Sequence, residues 1–250
     1  EISACLVGSE MCIRDRKGAM YGYFGAFDGW LNLNGRGDDI YTIKGEEVPM
    51  WNIANFLNSP STGNDPYGAL YSGIQRANIV LRYIDQIPAS GITEEDRSMI
   101  KGEALFLRGY QYFLLVNNYK EVPLRLIPSN EDETNKAAAT EAALWAQVEE
   151  DLDNAIKCNL PVERSTAKER ITKGAAIAML GKVYATQHKY PEAKQLLGTL
   201  LKAPYSYELM DNFEKNFTNE EEFNKESVFE LAYSPDAVSY THLRAHETGR

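Results

Sequence analysis

Apolar residues recur at intervals of three and four between residues 172 and 203, a spacing that predicts two amphipathic helices. A break at Lys189-Tyr190-Pro191 separates them, and Pro191 suits the first turn of the second helix because its missing N–H leaves no donor unsatisfied. The predicted inner faces contain Ile177, Leu180, Gly181 and Tyr184 in the first helix and Ala193, Leu196, Leu197 and Leu200 in the second. Small residues at 181 and 193 suit closely packed antiparallel helices, so this segment is predicted to form a hairpin around which the chain packs.

Three further amphipathic segments predict helices over about 66–87, 93–119 and 141–158. The first and third begin at residues whose side chains can cap a helix N-terminus, Asp65 and Thr140. The second opens at Thr93-Glu94-Glu95-Asp96, which places acidic residues near the positive end of the helix. The apolar faces are predicted to contain Leu70, Ile74, Ala77, Leu81 and Ile84 in the first helix and Leu144, Val148, Leu152, Ala155 and Ile156 in the third. The second half of the 93–119 helix is apolar on nearly all sides, which indicates a central position in the core.

The other segments have weaker patterns. Residues 17–33 are rich in aromatic rings and are interpreted as a helix, whereas Gly, Asn, Pro and Ser dominate a long irregular stretch over 34–65. A short helix is predicted over 207–217 and a strand over 227–234. The predicted fold class is therefore mostly α, with antiparallel helical hairpins, a long decorated loop near the N-terminus and little strand.

The hairpin at 172–203 resembles a tetratricopeptide repeat. Its Leu180-Gly181-x-x-Tyr184 sequence is followed by a small residue nine positions after the tyrosine, and then by leucines. It departs from the repeat at Ile177, where tryptophan is usual. The resemblance implies a tetratricopeptide-like scaffold.

Composition argues against nucleic-acid binding and favours the binding of a saccharide or a peptide. The net charge is −10, and no segment concentrates Lys and Arg into a stripe that could bind phosphates. No apolar run approaches the length needed to span a bilayer. The chain has 15 tyrosines and 3 tryptophans, and exposed flat rings of this kind are what saccharide and peptide sites use.

The two ends of the sequence are expected to be foreign to the protein, because residues 1–16 and 239–250 resemble translated sequencing-adapter sequence. The natural domain is then predicted to cover 17–237. Cys158 is the only cysteine within it, which leaves neither a disulfide framework nor a thiolate metal site. Cys158 itself is interpreted as a small core hydrophobe.

Five segments, taken in order, resemble the SusD/RagB family of nutrient-binding outer-membrane lipoproteins. They are YSGIQRANIVLRYID (71–85), GEALFLRGYQYFLLVNNYKEVPL (102–124), VEEDLDNAIKCNLP (148–161), RITKGAAIAMLGKVY (170–184), and YELMDNFEKNF with ESVFELAY (207–233). Any one string is common among helices, but the five in this order are specific. The chain is similar to the N-terminal part of such a protein.

The resemblance implies a helical lid on a TonB-dependent, SusC-like outer-membrane transporter. Such a lid is a surface-exposed lipoprotein of the cell outer membrane, and its lipid anchor is expected to lie outside this chain. It captures a glycan or another nutrient for import. Because the implied function is binding without bond cleavage, no catalytic residue, metal or cofactor is expected.

The stretch over 34–65 and the tryptophan before it provide the groups that a saccharide site needs. Flat rings stack on the C–H faces of pyranose rings, while amides and carboxylates bind hydroxyl groups. The predicted ligand-binding residues are Trp51, Asn52, Arg36, Asp39, Trp30 and Tyr41. Alternatively, Trp30 and Trp51 anchor the loop onto the helices, and Asp39 belongs to a turn.

Two other functions are compatible with the sequence. A tetratricopeptide scaffold would hold a peptide or a partner helix in its groove, but it would need several near-identical hairpins. An α-helical glycoside hydrolase would need two facing carboxylates, and Asp39 with Glu46 or Glu47 is the candidate pair in the loop. The acidic run over 149–153 is interpreted as a solvated helix face.

Overall fold

The computed structural model describes residues 37, 51–52, 54–57, 67–132 and 134–230. The predicted helix over 17–33, the two ends predicted to be foreign and most of the 34–65 stretch lie outside these residues. Within that stretch, residues 51, 52 and 54 are helical. The stretch therefore contains a helical turn that its composition does not indicate.

Five α-helices follow one another in the described part of the chain. They are α1 (Tyr67–Tyr83), α2 (Glu94–Tyr119), α3 (Glu141–Lys157), α4 (Lys173–Thr186) and α5 (Tyr190–Leu197). Short 3-10 helices cover Ile84–Gln86, Phe213–Phe217 and Asn219–Glu221. The five α-helices lie within the predicted ranges, and the mostly α fold is confirmed.

Threonine side chains begin three of these helices. Thr93, Thr140 and Thr172 each accept a hydrogen bond from the backbone N–H three residues later, over 3.1, 3.3 and 3.1 Å. Each bond satisfies a donor that the first helical turn leaves open, and such a cap stabilises a helix by about 1 kcal/mol. The predicted starts at Thr93 and Thr140 are confirmed, whereas Asp65 lies outside the described residues.

Helix α2 lies at the centre of the core, as its apolar second half predicts. It packs against both α1 and α3, and its Tyr112, Leu115 and Val116 are fully buried. The predicted inner faces of the neighbouring helices are buried too, at Leu70, Ile74 and Ala77 of α1 and at Leu144, Val148, Leu152 and Ala155 of α3. Burying one large apolar side chain stabilises a fold by roughly 1.5–3 kcal/mol, so this face-to-face packing is the main source of stability.

Helices α4 and α5 form the predicted hairpin and approach closely at a glycine. A Cβ atom at Gly181 would lie 2.4 Å from Cδ2 of Leu197, so no larger residue fits there unless the leucine moves. Ala193, the other small residue, is buried. Helix α5 ends at Leu197, earlier than its apolar stripe predicts, and Leu200 is buried from the turn that follows.

Successive helices pack against each other in chain order: α1 on α2, α2 on α3, α3 on α4 and α4 on α5. Contacts between more distant helices are few, and the clearest is between α2 and α4. This layered order is the tetratricopeptide-like arrangement that the sequence predicts.

Two predicted elements near the end of the described part differ from the structure. Only Phe213–Phe217 of the predicted 207–217 helix is helical, as a 3-10 turn. Residues 227–230, the described part of the predicted strand, form no ladder with any described segment. Leu209, Phe213 and Phe217 are 78%, 74% and 75% exposed, so this region presents apolar side chains to solvent.

Candidate functional site

Trp51 and Asn52 lie in the helical turn, and both side chains are partly exposed. Hydrogen bonds close the turn: the Asn55 backbone N–H and its side-chain amide donate to the Trp51 carbonyl over 3.1 and 2.7 Å, and the Leu57 N–H donates to the Asn52 carbonyl over 2.8 Å. The other predicted ligand-binding residues lie outside the described residues, namely Trp30, Arg36, Asp39 and Tyr41. Their assembly with Trp51 into one site stays a prediction.

The same turn exposes two apolar side chains that the sequence analysis did not single out. Phe56 and Leu57 are 72% and 48% exposed, and Phe56 has a φ of 56°, in the left-handed region. A bulky residue in that region costs on the order of 1–3 kcal/mol, and such residues cluster at binding sites. Phe56 is therefore a further candidate contact for a ligand at this turn.

A second candidate site is an open groove of about 580 Å³ between the first half of α3 and the turn that joins α4 to α5. The groove is lined by Glu141, Ala142, Trp145, Ala146 and Glu149 from α3 and by Gln187 and Lys189 from the turn. Its volume falls within the range that small-molecule sites occupy. Trp145 is partly exposed and the two alanines are exposed, so one aromatic ring lies beside two methyl groups in the groove.

A hydrogen bond and a ring contact orient Trp145 in this groove. Its indole Nε1 donates to Glu141 Oε1 over 3.2 Å, and Lys120 Nζ donates to the same oxygen over 3.2 Å. The ring meets Phe113 edge to face, with 6.0 Å between the ring centroids. The hydrogen bonds from Trp145 and Lys120 stabilise the carboxylate and hold the pKa of Glu141 below its usual value. The orientation of the indole is therefore set by the protein itself.

Glu149 joins the α4–α5 turn to α3. Its Oε1 accepts hydrogen bonds from Gln187 Nε2 over 2.7 Å and from Lys189 Nζ over 2.5 Å. The Lys189 ammonium also lies 5.7 Å from the centre of the Tyr184 ring, a distance at which a cation is attracted to an aromatic face. The Glu149 carboxylate thus ties the second wall of the groove to the first.

The groove is not predicted from the sequence, although part of its pattern is visible there. Glu141, Trp145 and Glu149 follow at intervals of four, which places them on one face of a helix. Gln187 and Lys189, however, lie 38 and 40 residues from Glu149 in the sequence. No local pattern connects residues so far apart, so the second wall could be found only in the folded structure.

The acidic run on α3 is not a solvated face throughout, and that interpretation is wrong at Asp151. This residue is 1% exposed, and its two oxygens accept hydrogen bonds from the Arg108 guanidinium over 2.8 and 2.6 Å. Gln147 also donates to Asp151, and Arg108 also donates to the side chain of Asn78. A buried carboxylate requires such partners because its desolvation costs several kcal/mol. Asp151 therefore has a structural role, holding α3 to α2.

Glu103 is a second buried carboxylate with a structural role. It is 2% exposed; Arg164 donates to one of its oxygens over 2.6 Å and Arg170 to the other over 2.8 Å. Arg164 also donates to the carbonyl of Ile171. These bonds tie the connection between α3 and α4 to the central helix, and neither Glu103 nor Asp151 is open to a substrate.

The described residues offer little for metal or thiol chemistry. In the ranges that the structure describes, His, Cys, Asp and Glu side chains form no group of three able to hold a metal ion. Cys158 is partly buried against the core, and burial raises the pKa of its thiol. A thiol that stays protonated is a poor nucleophile and a poor metal ligand, which agrees with the interpretation of Cys158 as a small core residue.

Among the helices that the structure describes, none combines the length and the apolar character that a bilayer span requires.

Residues 41–185 match the SusD-like family described as starch-binding and associating with the outer membrane. The matched range is more than half of the 250-residue chain and includes α1, α2, α3 and most of α4. It also contains, in full, four of the five segments that carry the resemblance.

Solved structures share the fold over most of this chain. A SusD superfamily protein from Bacteroides vulgatus is 29% identical, with a TM-score of 0.78 over 92% of this chain and 49% of its own. A laminarin-binding SusD-like protein is 29% identical, with a TM-score of 0.79 over 88% of this chain and 50% of its own. Surface glycan-binding protein A from Bacteroides thetaiotaomicron, solved with laminarihexaose, is 22% identical, with a TM-score of 0.77 over 90% and 49%.

The chain thus spans about half the length of the solved structures that it matches. No curated protein matches it. The family match and the shared fold confirm the resemblance that the sequence segments carry. The chain belongs to the SusD-like family.

Proposed function

We propose that residues 17–237 belong to a lipid-anchored protein of the cell surface that binds a glycan, or another nutrient, and delivers it to a TonB-dependent, SusC-like transporter in the outer membrane. The observation that carries the proposal is the similarity to a laminarin-binding SusD-like protein, which is 29% identical over 88% of this chain. The family description, starch-binding and associating with the outer membrane, supports the same ligand class and location. Laminarin and starch are both glucans, so a glucan is the first ligand to test.

The helical turn at Trp51 supplies the described part of the proposed ligand site. Its indole would stack on the C–H face of a pyranose ring, and the Asn52 amide would both donate to and accept from hydroxyl groups. Phe56, 72% exposed on the same turn, offers a second ring. The remaining proposed contacts are Arg36, Asp39, Trp30 and Tyr41.

The proposed activity is capture, in which no bond of the ligand is broken, as in the non-catalytic family to which the chain belongs. Two features of the described carboxylates support this. Glu103 and Asp151 are buried in ion pairs. Glu141 and Glu149 are eight residues apart on one helix, so the helix rises by about 12 Å between their Cα atoms. The two carboxyl groups of a glycosidase lie roughly 5 to 9.5 Å apart.

Titration calorimetry with laminarihexaose and maltohexaose tests glycan capture on the full chain. We expect at least one of them to bind, and chromatography to recover it uncleaved. Trp51→Ala should weaken the binding by about tenfold or more, because a stacking ring is lost. Phe213→Ala, which removes an exposed ring outside the proposed site, is the control and should bind as the unmodified chain does.

The possible outcomes separate the alternatives. Unchanged glycan binding by Trp51→Ala would refute the assignment of the site to Trp51. Cleavage of the glycan would instead indicate a glycoside hydrolase, and Asp39, Glu46 and Glu47 would be the next residues to test. Tight binding of a peptide together with no binding of either glucan would favour the tetratricopeptide scaffold.

Delivery to a transporter needs its own experiment. In intact cells that express the protein, a surface cross-linker is expected to join it to a TonB-dependent outer-membrane transporter, identified by mass spectrometry. Deletion of that transporter should leave glycan binding intact while abolishing uptake of the bound glycan. Uptake that persists without it would contradict the proposed partnership.

A further inference from the structure

The groove between α3 and the α4–α5 turn shares no residue with the proposed site at Trp51. We propose that this groove is a second saccharide site, which binds a short stretch of a neutral oligosaccharide against Trp145. The choice of ligand class rests on the proposed function, but the residues are different, so each assignment can fail alone.

The stacking surface is already in place. Trp145 is partly exposed, and its orientation is held by the hydrogen bond to Glu141 and by the edge-to-face contact with Phe113. Ala142 and Ala146 lie on either side of it in the sequence, and their methyl groups leave the ring open to a flat ligand. A fixed aromatic ring loses little conformational freedom on binding, so stacking on it is favourable.

Hydrogen-bond acceptors flank the ring on both sides. Glu141 and Glu149 each use Oε1 for two donors, and the Oε2 of each has no partner among the described residues. The side-chain oxygen of Gln187 is likewise without a partner in the described part of the chain, because its bonds are made through Nε2. Three acceptors around one ring suit the hydroxyl groups of a sugar, which donate hydrogen bonds in several directions.

The charges of the groove favour a neutral ligand. Lys120 neutralises Glu141 over 3.2 Å, and Lys189 neutralises Glu149 over 2.5 Å, so the carboxylates and ammonium groups at the groove cancel. A phosphate or a strongly charged peptide would have to break these pairs to find a partner. A neutral polyol needs only the open acceptors and the ring, which is why we favour a saccharide.

The indole N–H of Trp145 gives a direct test. The chain has 3 tryptophans, so three indole signals are expected in a nitrogen-15 correlation spectrum, and Trp→Phe variants assign them. Maltohexaose, laminarihexaose and cellohexaose are titrated to millimolar concentration. We expect at least one to shift the Trp145 signal saturably, both in the unmodified chain and in Trp51→Ala.

A pair of matched variants separates loss of binding from loss of folding. Ala146→Arg places a long side chain across the groove at an exposed helix position and should weaken the Trp145 response by about tenfold or more. Ala143→Arg makes the same change at an exposed position of α3 that does not line the groove, and should leave the response intact.

Three results would overturn the inference: no movement of the Trp145 signal with any of the three saccharides, an unchanged response in Ala146→Arg, or equal losses in both arginine variants. Movement only with an added peptide would assign the groove to a protein partner instead. If calorimetry detects glucan binding that Trp51→Ala abolishes while Trp145 never responds, the proposed function stands and the second site fails.

Discussion

Arg108 and Asp151 illustrate how single residues determine whether the central helices stay together. Both are buried, and the guanidinium meets the carboxylate through two parallel hydrogen bonds of 2.8 and 2.6 Å. Asn78 and Gln147 satisfy further groups of the pair. Removing one member would leave the other charged and buried without its partner, which costs far more than the pair contributes when complete.

We therefore expect Asp151→Ala to lower the free energy of unfolding by about 3–5 kcal/mol. Asp153→Ala is the matched control on the same helix, because Asp153 is half exposed and pairs with the exposed Lys157, and its loss should cost less than about 1 kcal/mol. Urea unfolding followed by circular dichroism measures both variants. Equal stabilities would show that the buried pair contributes no more than a surface pair.

The buried Tyr112 and the partly buried Tyr71 should make the free energy of unfolding fall in alkaline solution. Tyr71 donates to the carbonyl of Pro123 over 2.6 Å and Tyr112 to that of Arg125 over 2.8 Å. Burial raises the pKa of both phenols above the usual value of 10.0. Above that value the unfolded chain loses phenolic protons that the folded chain keeps, so the free energy of unfolding decreases as pH rises, by up to about 1.4 kcal/mol per pH unit for each tyrosine.

Urea unfolding on either side of pH 10 tests this prediction. Tyr71→Phe and Tyr112→Phe should each have a shallower decline than the unmodified chain, since phenylalanine has no proton to lose. Tyr190→Phe changes an exposed ring and serves as the control. A decline of the same slope in all of the variants would mean that other groups cause it.

At the scale of secondary structure elements, two glycines with opposite surroundings test how the helices pack. Gly181 of α4 has the Leu197 side chain within 2.4 Å of a would-be Cβ, whereas Gly68 of α1 has no atom within 4 Å. Gly181→Ala should destabilise the protein by roughly 1–3 kcal/mol through overpacking. Gly68→Ala should stabilise it by about 0.5–1 kcal/mol, because alanine restricts the unfolded chain.

Thermal unfolding of the two alanine variants measures both changes. Adding Leu197→Ala to Gly181→Ala should recover part of the lost stability, because the clash is then removed. If Gly181→Ala alone proves as stable as the unmodified chain, the hairpin is looser than the structure describes.

A buried carboxylate ties the connection between α3 and α4 to the central helix. Glu103 accepts hydrogen bonds from both Arg164 and Arg170, so Glu103→Gln should weaken both attachments and expose the connection to trypsin. Glu163→Gln, at an exposed position of the same connection, is the control and should be cleaved at the rate of the unmodified chain. Mass spectrometry of the fragments locates the cuts, and unchanged protection at Arg164 and Arg170 would refute the proposed attachment.

At the scale of the whole molecule, the proposed site at Trp51 and the groove at Trp145 would give one chain two places to hold a glycan. A polymer that reaches both should bind more tightly than a hexasaccharide, since the second contact forms at a high effective concentration. We expect either Trp51→Ala or Trp145→Phe to remove this gain while leaving weak binding of the hexasaccharide at the other site. Calorimetry with amylose or laminarin against the matching hexasaccharide measures the gain, and equal affinities would mean that the two sites are not bridged.

The fold could be predicted from the sequence wherever the signals are local. Thr93 and Thr140 begin their helices, and the residues at 144, 148, 152 and 155 are buried as their spacing predicts, because capping and amphipathicity act within a few residues. The prediction of a strand over 227–234 is wrong for the described residues 227–230. A strand needs a partner strand, and the position of that partner cannot be read from the local sequence.

The candidate sites were less predictable for the same reason. Asp151 stands in an acidic run that looks solvated, and its partner Arg108 lies 43 residues away. The groove at Trp145 depends on Gln187 and Lys189, which only folding brings to α3. Trp51 was found from its residue type and its position in a long loop, and its role stays a prediction.

The packing of each helix on its neighbour in the chain also bears on how the protein reaches its folded state. Contacts between α1 and α2, or between α4 and α5, close short loops, and short loops cost little entropy to form. Chains dominated by such contacts fold rapidly, whereas those that must pair distant strands fold slowly. The described helices can therefore assemble one after another as the polypeptide emerges, and α2 is covered on its second side as soon as α3 has formed.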